Sequence, residues 1–306
     1  MIAPNRGIYV EIFIASTMDN VWTRTQNPQL HEQWDLRFTK IEYLPRAENS
    51  DAQQFLYETR IGFGMRICGM GETVGSYDNA HGVRSSALKF WSDDRKSLIS
   101  AGSGYWKYIP EQNGVRFLTW YDYETRFGLL GRVFDRAIFR PLISWATAWS
   151  FDRLRLWIET GVAPVSAFRS SLIHSLTRLT LAFIWLYHGL IPKLLSTHRD
   201  ELAMFTRTGV SAQDALLVVR LLGSAELAFG LIMLLTWRHR WLFLVNIGLM
   251  ILATIGIALT SPEYLGAAFN PVTLNVSVIV LALIGYIASL DTPSAGRCLR
   301  MPRKDS

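Results

Sequence analysis

Four apolar segments in the second part of the chain are each long enough to cross a lipid bilayer. A helix of about 20 apolar residues spans roughly 30 Å of hydrocarbon. The segments that meet this requirement are residues 172–192, 213–236, 241–260 and 270–290. We therefore predict an all-α four-helix transmembrane bundle over residues 172–292, with a soluble domain at 1–160, a linker at 161–171 and a basic cytoplasmic tail at 293–306.

The positions of the basic residues predict the orientation of this bundle. Short cytoplasmic loops are rich in Lys and Arg, as are residues 237–241 and the tail, whereas residues 261–269 contain neither. The loop between the first two segments is also basic, but we assign it to the outside because the other loops agree. Residues 1–7 do not resemble a signal peptide. The expected location is the cytoplasmic (inner) membrane, with several crossings and both termini in the cytoplasm.

Ionisable residues inside the apolar segments mark a candidate polar site. Charges are costly in hydrocarbon and so pair with one another or face a polar interior. The residues that we assign to this intramembrane site are Glu226, Arg178, His188 and Arg220. Glu226 either carries a proton or anchors a ligand, or it is a structural partner of a nearby arginine. Arg220 lies six residues away on another helical face, so we expect Arg178 to be the counter-ion of Glu226.

The other polar groups of the segments have simpler interpretations. His188 either relays a proton, since its reference pKa is near neutrality, or is held by a backbone carbonyl. We expect Lys193 to extend towards the lipid head groups. Asn246 and Asn275 are expected to form hydrogen bonds between helices. The histidines are scattered and the two cysteines lie far apart, so the sequence indicates neither a metal site nor a disulfide.

The first 160 residues have the pattern of a soluble α+β domain. Alternating apolar residues predict a first strand at 8–15, followed by one or two short helices broken at Asn27-Pro28. Further strands are predicted at residues 38–44, 53–61, 64–75, 83–91, 97–108 and 114–125. Residues 127–160 change to a helical period, and Pro141 either bends this helix or begins a new one.

This order of elements resembles the SRPBCC superfamily of START-like, helix-grip domains. The resemblance rests on Val21-Trp22, Asn27-Pro28, Trp34 and the terminal helix at 147–159. It implies an antiparallel sheet wrapped around a long C-terminal helix, with a cavity for an apolar ligand. The aromatic candidates for the cavity lining are Trp34, Phe55, Tyr57, Phe90, Trp106, Trp120 and Phe134. Aromatic residues also fill closed cores, and it is the resemblance that favours the cavity.

The membrane segments resemble the DoxX-like family of four-helix membrane proteins. The residues that carry this resemblance are Arg178–Ala182, His188–Lys193, Leu222–Glu226 and Gly230-Leu231. Family members are associated with membrane redox chemistry, including a subunit of a thiosulfate:quinone oxidoreductase, and many have no known activity. The resemblance thus implies the fold and the membrane location, but it hardly implies an activity.

Together these features favour a membrane-anchored binding protein whose cytoplasmic SRPBCC-like domain holds an apolar or lipid-like small molecule. One alternative is a membrane oxidoreductase, or an accessory subunit of one, that uses a quinone near the polar centre of the bundle. A structural partner of another membrane subunit is a second alternative. No cofactor is evident, no catalytic signature such as GxSxG is present, and the net charge of +6 is not arranged as a nucleic-acid-binding stripe.

Overall fold

The computed structural model describes residues 7–46, 52–62, 64–79 and 82–302. The chain divides into two compact units, one made of residues 1–167 together with 293–306 and the other of residues 168–292. The basic residues Arg303 and Lys304 of the predicted tail lie outside the described residues.

The first unit contains a seven-stranded antiparallel sheet. Its strands are β1 (Ile8–Ile14), β2 (Lys40–Tyr43), β3 (Gln53–Gly62), β4 (Met65–Asp78), β5 (Arg84–Trp91), β6 (Ile99–Glu111) and β7 (Gly114–Thr125). The order across the sheet is β1-β7-β6-β5-β4-β3-β2, so the first and last strands of the sequence are neighbours. All seven predicted strands are confirmed, because residue alternation is a direct consequence of strand geometry.

Two short helices follow β1, and the cause of their separation is local. Helix α1 (Met18–Gln26) is capped by Thr17, whose side chain accepts a hydrogen bond from the amide of Asn20. Helix α2 (Pro28–Trp34) is capped by Asn27, and Pro28 occupies its first turn. A proline is tolerated there because the amide proton that it lacks would have no partner within the helix. The predicted break at Asn27-Pro28 is confirmed.

The long helix after the sheet is continuous across Pro141. Helix α3 (Gly128–Phe134) passes through a π-helical turn (Asp135–Phe139) into α4 (Arg140–Thr160). Pro141 lies in the first turn of α4, directly after the widened turn, so the chain is not divided there. Phe151 of α4 stacks on Phe117 of β7 with a ring-centroid distance of 4.4 Å. Helix α4 thus packs on the sheet and closes the core, and the predicted helix-grip fold is confirmed.

The last described residues return to the first unit. Leu299 forms a two-hydrogen-bond bridge with Glu11 of the edge strand β1, both at 2.9 Å. The amide of Ser294 donates to the buried carboxylate of Asp152 at 2.6 Å. The Cys298 thiol is buried in the core and donates to the carbonyl oxygen of Ala148 at 3.1 Å. Residues 293–302, which we predicted as part of a separate basic tail, therefore complete the first unit.

The second unit is helical and begins earlier than expected. Residues 161–171 were predicted to be a linker, but helix α5 (Pro164–His188) begins within them, because a proline suits a first helical turn. The remaining helices are α6 (Arg199–Thr206), α7 (Ala212–Leu235), α8 (Trp241–Thr260) and α9 (Pro271–Ala288). By length and hydropathy, α7, α8 and the segment Pro271–Asp291 each suffice to cross a membrane. The segment Pro164–Leu195 and α6 together form a further candidate, bent by 81°.

The docking of the tail predicts different reactivities for the two cysteines. Cys68 is exposed, whereas Cys298 is buried and its burial raises the pKa of the thiol to about 12. Because the thiolate is the reactive form, we expect a maleimide at pH 7.5 to modify Cys68 and to leave Cys298 intact until the protein is denatured. Peptide mass spectrometry of labelled wild-type protein and of a Cys68→Ser control measures both sites. Equal labelling of both cysteines in the folded protein would contradict the docked tail.

Candidate functional site

A cavity of about 150 Å³ lies inside the first unit, between the sheet and the helices that cover it. Its wall contains residues from α1, α2, α4 and six of the seven strands, and most of the exposed wall is apolar. Its lining residues include His31, Arg37, Phe38, Phe55, Tyr57, Leu88, Phe90, Trp106 and Tyr121.

Four of the seven aromatic residues predicted for the cavity line it: Phe55, Tyr57, Phe90 and Trp106. On β3, the lining residues Phe55, Tyr57 and Thr59 alternate with Leu56, which is 41% exposed on the opposite face. This is the two-residue period of a strand.

The other three predicted lining residues lie elsewhere. Trp34 is fully buried in the core, where its Nε1 donates to the carbonyl oxygen of Arg24 at 2.9 Å. Trp120 lies between two lining residues of β7, so strand alternation turns its ring to the opposite face of the sheet, where it stacks on Tyr105. Phe134 is 48% exposed on α3. Aromatic character alone could not separate these positions from the true cavity wall.

A polar cluster at one part of the cavity wall was not among the predicted site residues. Asp35 is completely buried, and its Oδ2 accepts from Arg37 Nη2 at 2.6 Å and lies 3.0 Å from His31 Nε2. Its Oδ1 accepts from the backbone amide of Arg37 at 3.0 Å and from Arg37 Nε at 2.9 Å. Of these residues, His31 and Arg37 line the cavity and Asp35 does not.

The electrostatics of this cluster fix its protonation states at neutral pH. Burial alone would raise the pKa of the Asp35 carboxyl, but the Arg37 guanidinium and the His31 hydrogen bond hold it well below its usual range. Burial lowers the pKa of His31, although Asp35 opposes this shift. The cluster therefore consists of an ionised carboxylate, a guanidinium and a neutral imidazole. His31 and Asp35 are four residues apart at the end of α2, a spacing that places them on one face, and this is the signal in the sequence that could have revealed them.

In the second unit, α5 and α7 are antiparallel and come into close contact through glycine. A Cβ built on Gly223 of α7 would lie 2.9 Å from the carbonyl oxygen of Gly189, which follows α5. A Cβ built on Gly230 would lie 3.1 Å from the carbonyl oxygen of Ala182. Small residues of this kind let the backbones of membrane helices approach closely.

The predicted pairing of Glu226 with Arg178 is wrong. Glu226 Oε2 lies 3.1 Å from Nζ of Lys193, and Lys193 Nζ also lies 3.1 Å from Oε1 of Glu201 in α6. Lys193 belongs to a π-helical segment (Gly189–Leu195) that directs it towards these carboxylates, and it is buried rather than extended towards head groups as we expected. The close contact at Gly223, which faces the Cβ of Lys193, brings the lysine within reach of α7.

Arg178 instead binds the C-terminal end of α7. It is completely buried, and its Nε and Nη2 donate to the carbonyl oxygens of Met233 and Thr236, both at 2.6 Å. The last carbonyls of a helix lack intrahelical partners and carry partial negative charge. A guanidinium that satisfies them needs no carboxylate, which is why the charge-pairing argument failed here.

The remaining predicted polar residues of the bundle do not converge on one point. Arg220 is exposed on α7, and His188 is half-buried beside the ring of Tyr187. Asn246 Oδ1 accepts from Trp185 Nε1 at 2.7 Å, and Asn275 Nδ2 donates to Thr254 Oγ1 at 3.0 Å, so both predicted interhelical hydrogen bonds are confirmed. Within the described ranges, no three His, Cys, Asp or Glu side chains are grouped as metal ligands would be.

Each of the two parts of the chain is similar to known proteins. Residues 182–283 match the model of the DoxX-like family. The N-terminal region is similar to a STAR-related lipid transfer protein from Xanthomonas axonopodis, with 13% identity, a TM-score of 0.39, and coverage of 50% of this chain and 85% of that fragment. It is also similar to the Zhui aromatase/cyclase of Streptomyces sp. R1128, with 12% identity, a TM-score of 0.38, and coverage of 52% and 98%.

The first unit is an antiparallel sheet packed on a long helix, and residues 182–283 of the helical unit match the DoxX-like family. One relative has nearly the same length and extends over both parts. It is the Bacillus subtilis (strain 168) protein called "Uncharacterized membrane protein YndG", which is 40% identical over 300 residues, covering 98% of this chain and 99% of the relative. The chain belongs to the family of this membrane protein.

The shared lysine predicts unequal effects of charge removal in the second unit. Lys193→Met leaves two carboxylates without their cation, and breaking a buried pair from one side costs about 3–5 kcal/mol. In Glu226→Gln, Lys193 is still paired with Glu201. We therefore expect this substitution to lower the melting temperature less than Lys193→Met does. The double variant Lys193→Met/Glu226→Gln should be more stable than Lys193→Met alone.

Thermal unfolding in dodecyl maltoside, followed by circular dichroism, ranks these variants. Arg220→Met is the matched control, because Arg220 is exposed, and it should leave the melting temperature nearly unchanged. A smaller decrease in melting temperature for Lys193→Met than for Arg220→Met would contradict the assigned ion pairs.

Proposed function

We propose that the protein is a membrane-anchored binding protein whose first unit holds a small apolar molecule in the cavity. The observation that supports this proposal is the cavity itself. Packed protein interiors contain few voids larger than a water molecule. A ligand that enters this space would bury its apolar surface against a largely apolar wall, which favours binding.

The size of the cavity limits the part of the ligand that it encloses. An apolar cavity of about 150 Å³ admits a molecule the size of benzene. We therefore propose that the enclosed group is a single ring or a short branched chain, rather than a full acyl chain of a lipid. The aromatic wall, with Phe55, Tyr57, Phe90 and Trp106, offers faces and edges to such a ring.

The arrangement of the chain supports the proposal of four membrane crossings. The chain leaves the first unit at residue 167 and returns to it at residue 293. A soluble domain lies on one side of a membrane, so the number of crossings between these points is even. Three helices are each long enough to cross the membrane alone, and the bent pair formed by Pro164–Leu195 and α6 then provides the fourth crossing. Its antiparallel contacts with α7 support the same assignment.

The side of the membrane follows from the basic loop between α7 and α8. With four crossings, this loop lies on the same side as the first unit, and it contains Arg238 and Arg240. Since Lys and Arg favour cytoplasmic loops, we propose that the first unit and both termini are cytoplasmic. The alternative of a quinone site in the bundle gains no support from the contacts, because Arg178 and Glu226 bind different partners.

A cavity-filling substitution tests the binding proposal. We expect Leu88→Trp to abolish binding of 4-fluorotoluene, because Leu88 lines the cavity and the larger ring would occupy the free space. Leu56→Trp is the matched control, since Leu56 is exposed on the outer face of β3, and it should bind the probe as the wild type does.

The measurement is ¹⁹F NMR of the full-length protein in lipid nanodiscs. Probe dissolved in the bilayer gives the same signal in all three proteins, so only a resonance absent from Leu88→Trp reports the cavity. A wild-type spectrum without such a resonance would overturn the proposal.

A further inference from the structure

The part of the cavity wall that contains Arg37 and His31 is rigidly built. Among the described residues that line the cavity, Arg37 alone carries a permanent charge. Its side chain is held by the paired contacts with Asp35 and lies against the rings of Phe38 and Tyr121, at 5.5 and 5.4 Å from their centroids. A guanidinium fixed in this way loses little further conformational freedom when it binds a ligand.

Asp35 positions the cluster but does not contact the cavity. Its side chain is fully buried, and both oxygens are occupied by Arg37 and His31. Its negative charge offsets the positive charge of Arg37 at a separation of 2.6 Å. An anionic group in the cavity would be attracted by Arg37 and repelled by Asp35, so the cluster offers hydrogen bonds rather than net charge.

The two lining members of the cluster provide complementary hydrogen-bonding groups. Asp35 binds Nε and Nη2 of Arg37, and the Tyr121 side chain is a further hydrogen-bonding partner of the guanidinium. Because a guanidinium carries five N–H donors, Arg37 retains donors beyond these contacts. Because His31 Nε2 lies 3.0 Å from an ionised carboxylate, Nε2 carries the proton of the neutral ring and Nδ1 is the acceptor. A donor and an acceptor are thus held by a single buried carboxylate.

We infer that the cavity selects a neutral ring compound that carries a hydroxyl or carbonyl oxygen, and that Arg37 and His31 bind this oxygen. The inference rests on the proposed function and adds the chemical class of the ligand. The ring fills the aromatic part of the cavity, and the oxygen accepts a hydrogen bond from Arg37. A hydroxyl, such as that of a phenol, also donates to His31. Asp35 is a positioning residue, because it acts through both.

Matched fluorinated probes test this selection by ¹⁹F NMR of the full chain in nanodiscs, with affinities referred to the free aqueous concentration. Hydrogen bonds to charged groups favour binding by roughly 10- to 100-fold. We therefore expect wild-type protein to bind 4-fluorophenol about 10- to 100-fold more tightly than 4-fluorotoluene. It should bind 4-fluorobenzoate more weakly than 4-fluorophenol.

The double variant Asp35→Asn/Arg37→Gln removes both charges together, so that neither is left buried alone. We expect the ratio of its affinities for 4-fluorophenol and 4-fluorotoluene to fall to nearly 1. Binding of 4-fluorotoluene by this variant would show that the cavity is intact. If this variant does not fold, His31→Phe keeps the ring packing and the Arg37–Asp35 pair. It should lose a part of the wild-type preference for 4-fluorophenol.

The outcomes separate this inference from the proposed function. Equal wild-type affinity for 4-fluorophenol and 4-fluorotoluene would overturn the inference and leave the apolar cavity as proposed. Tighter binding of 4-fluorobenzoate than of 4-fluorophenol would also overturn it, in favour of an anionic ligand. Binding of neither neutral probe would overturn the proposed function, and the inference with it.

Discussion

The buried carboxylate of Asp152 joins the two segments of the chain that form the first unit. It accepts the amide of Ser294 at 2.6 Å and is paired with Arg155 Nε at 2.7 Å. Together with the bridge between Leu299 and Glu11, it makes the residues after α9 part of the first unit. The helical unit of residues 168–292 is thus an insertion into the first unit rather than a domain appended to it. This connection requires an even number of crossings, and the proposed topology follows from it.

The same physical problem, the burial of polar groups, is solved differently in the two units. In the helical unit, Arg178 satisfies helix-terminal carbonyls, and Lys193 lies between two carboxylates of other helices. In the first unit, Asp35 neutralises Arg37 and still leaves groups directed at an apolar cavity. Buried charges persist only when paired or well hydrogen-bonded. Only the third arrangement borders the cavity, since His31 and Arg37 line it, and this is why we place ligand recognition in the first unit.

The sequence predicted the elements better than the contacts. Strand alternation and helical periodicity are local properties, so all seven strands and the break at Asn27-Pro28 were found. Which aromatic residues line a cavity depends on the face that each strand presents: Trp106 lines the cavity and Trp120 does not. The partner of Glu226 depended on a π-helical turn that redirects Lys193, and no periodicity argument anticipates such a turn. The docking of Cys298 on Ala148 joins positions 150 residues apart, in the two segments of the first unit.

The accessibility of three cysteine positions in intact cells tests the inserted topology most directly. Cys68 in the wild type reports the first unit, Arg238→Cys reports the loop after α7, and Ala268→Cys reports the loop after α8. The last two are made with Cys68→Ser. With a membrane-impermeant maleimide, we expect Ala268→Cys to be labelled in intact cells, and Cys68 and Arg238→Cys to be labelled only after permeabilisation. Labelling of Arg238→Cys from outside while Cys68 stays protected would place the loop and the first unit on opposite sides, and it would contradict the account.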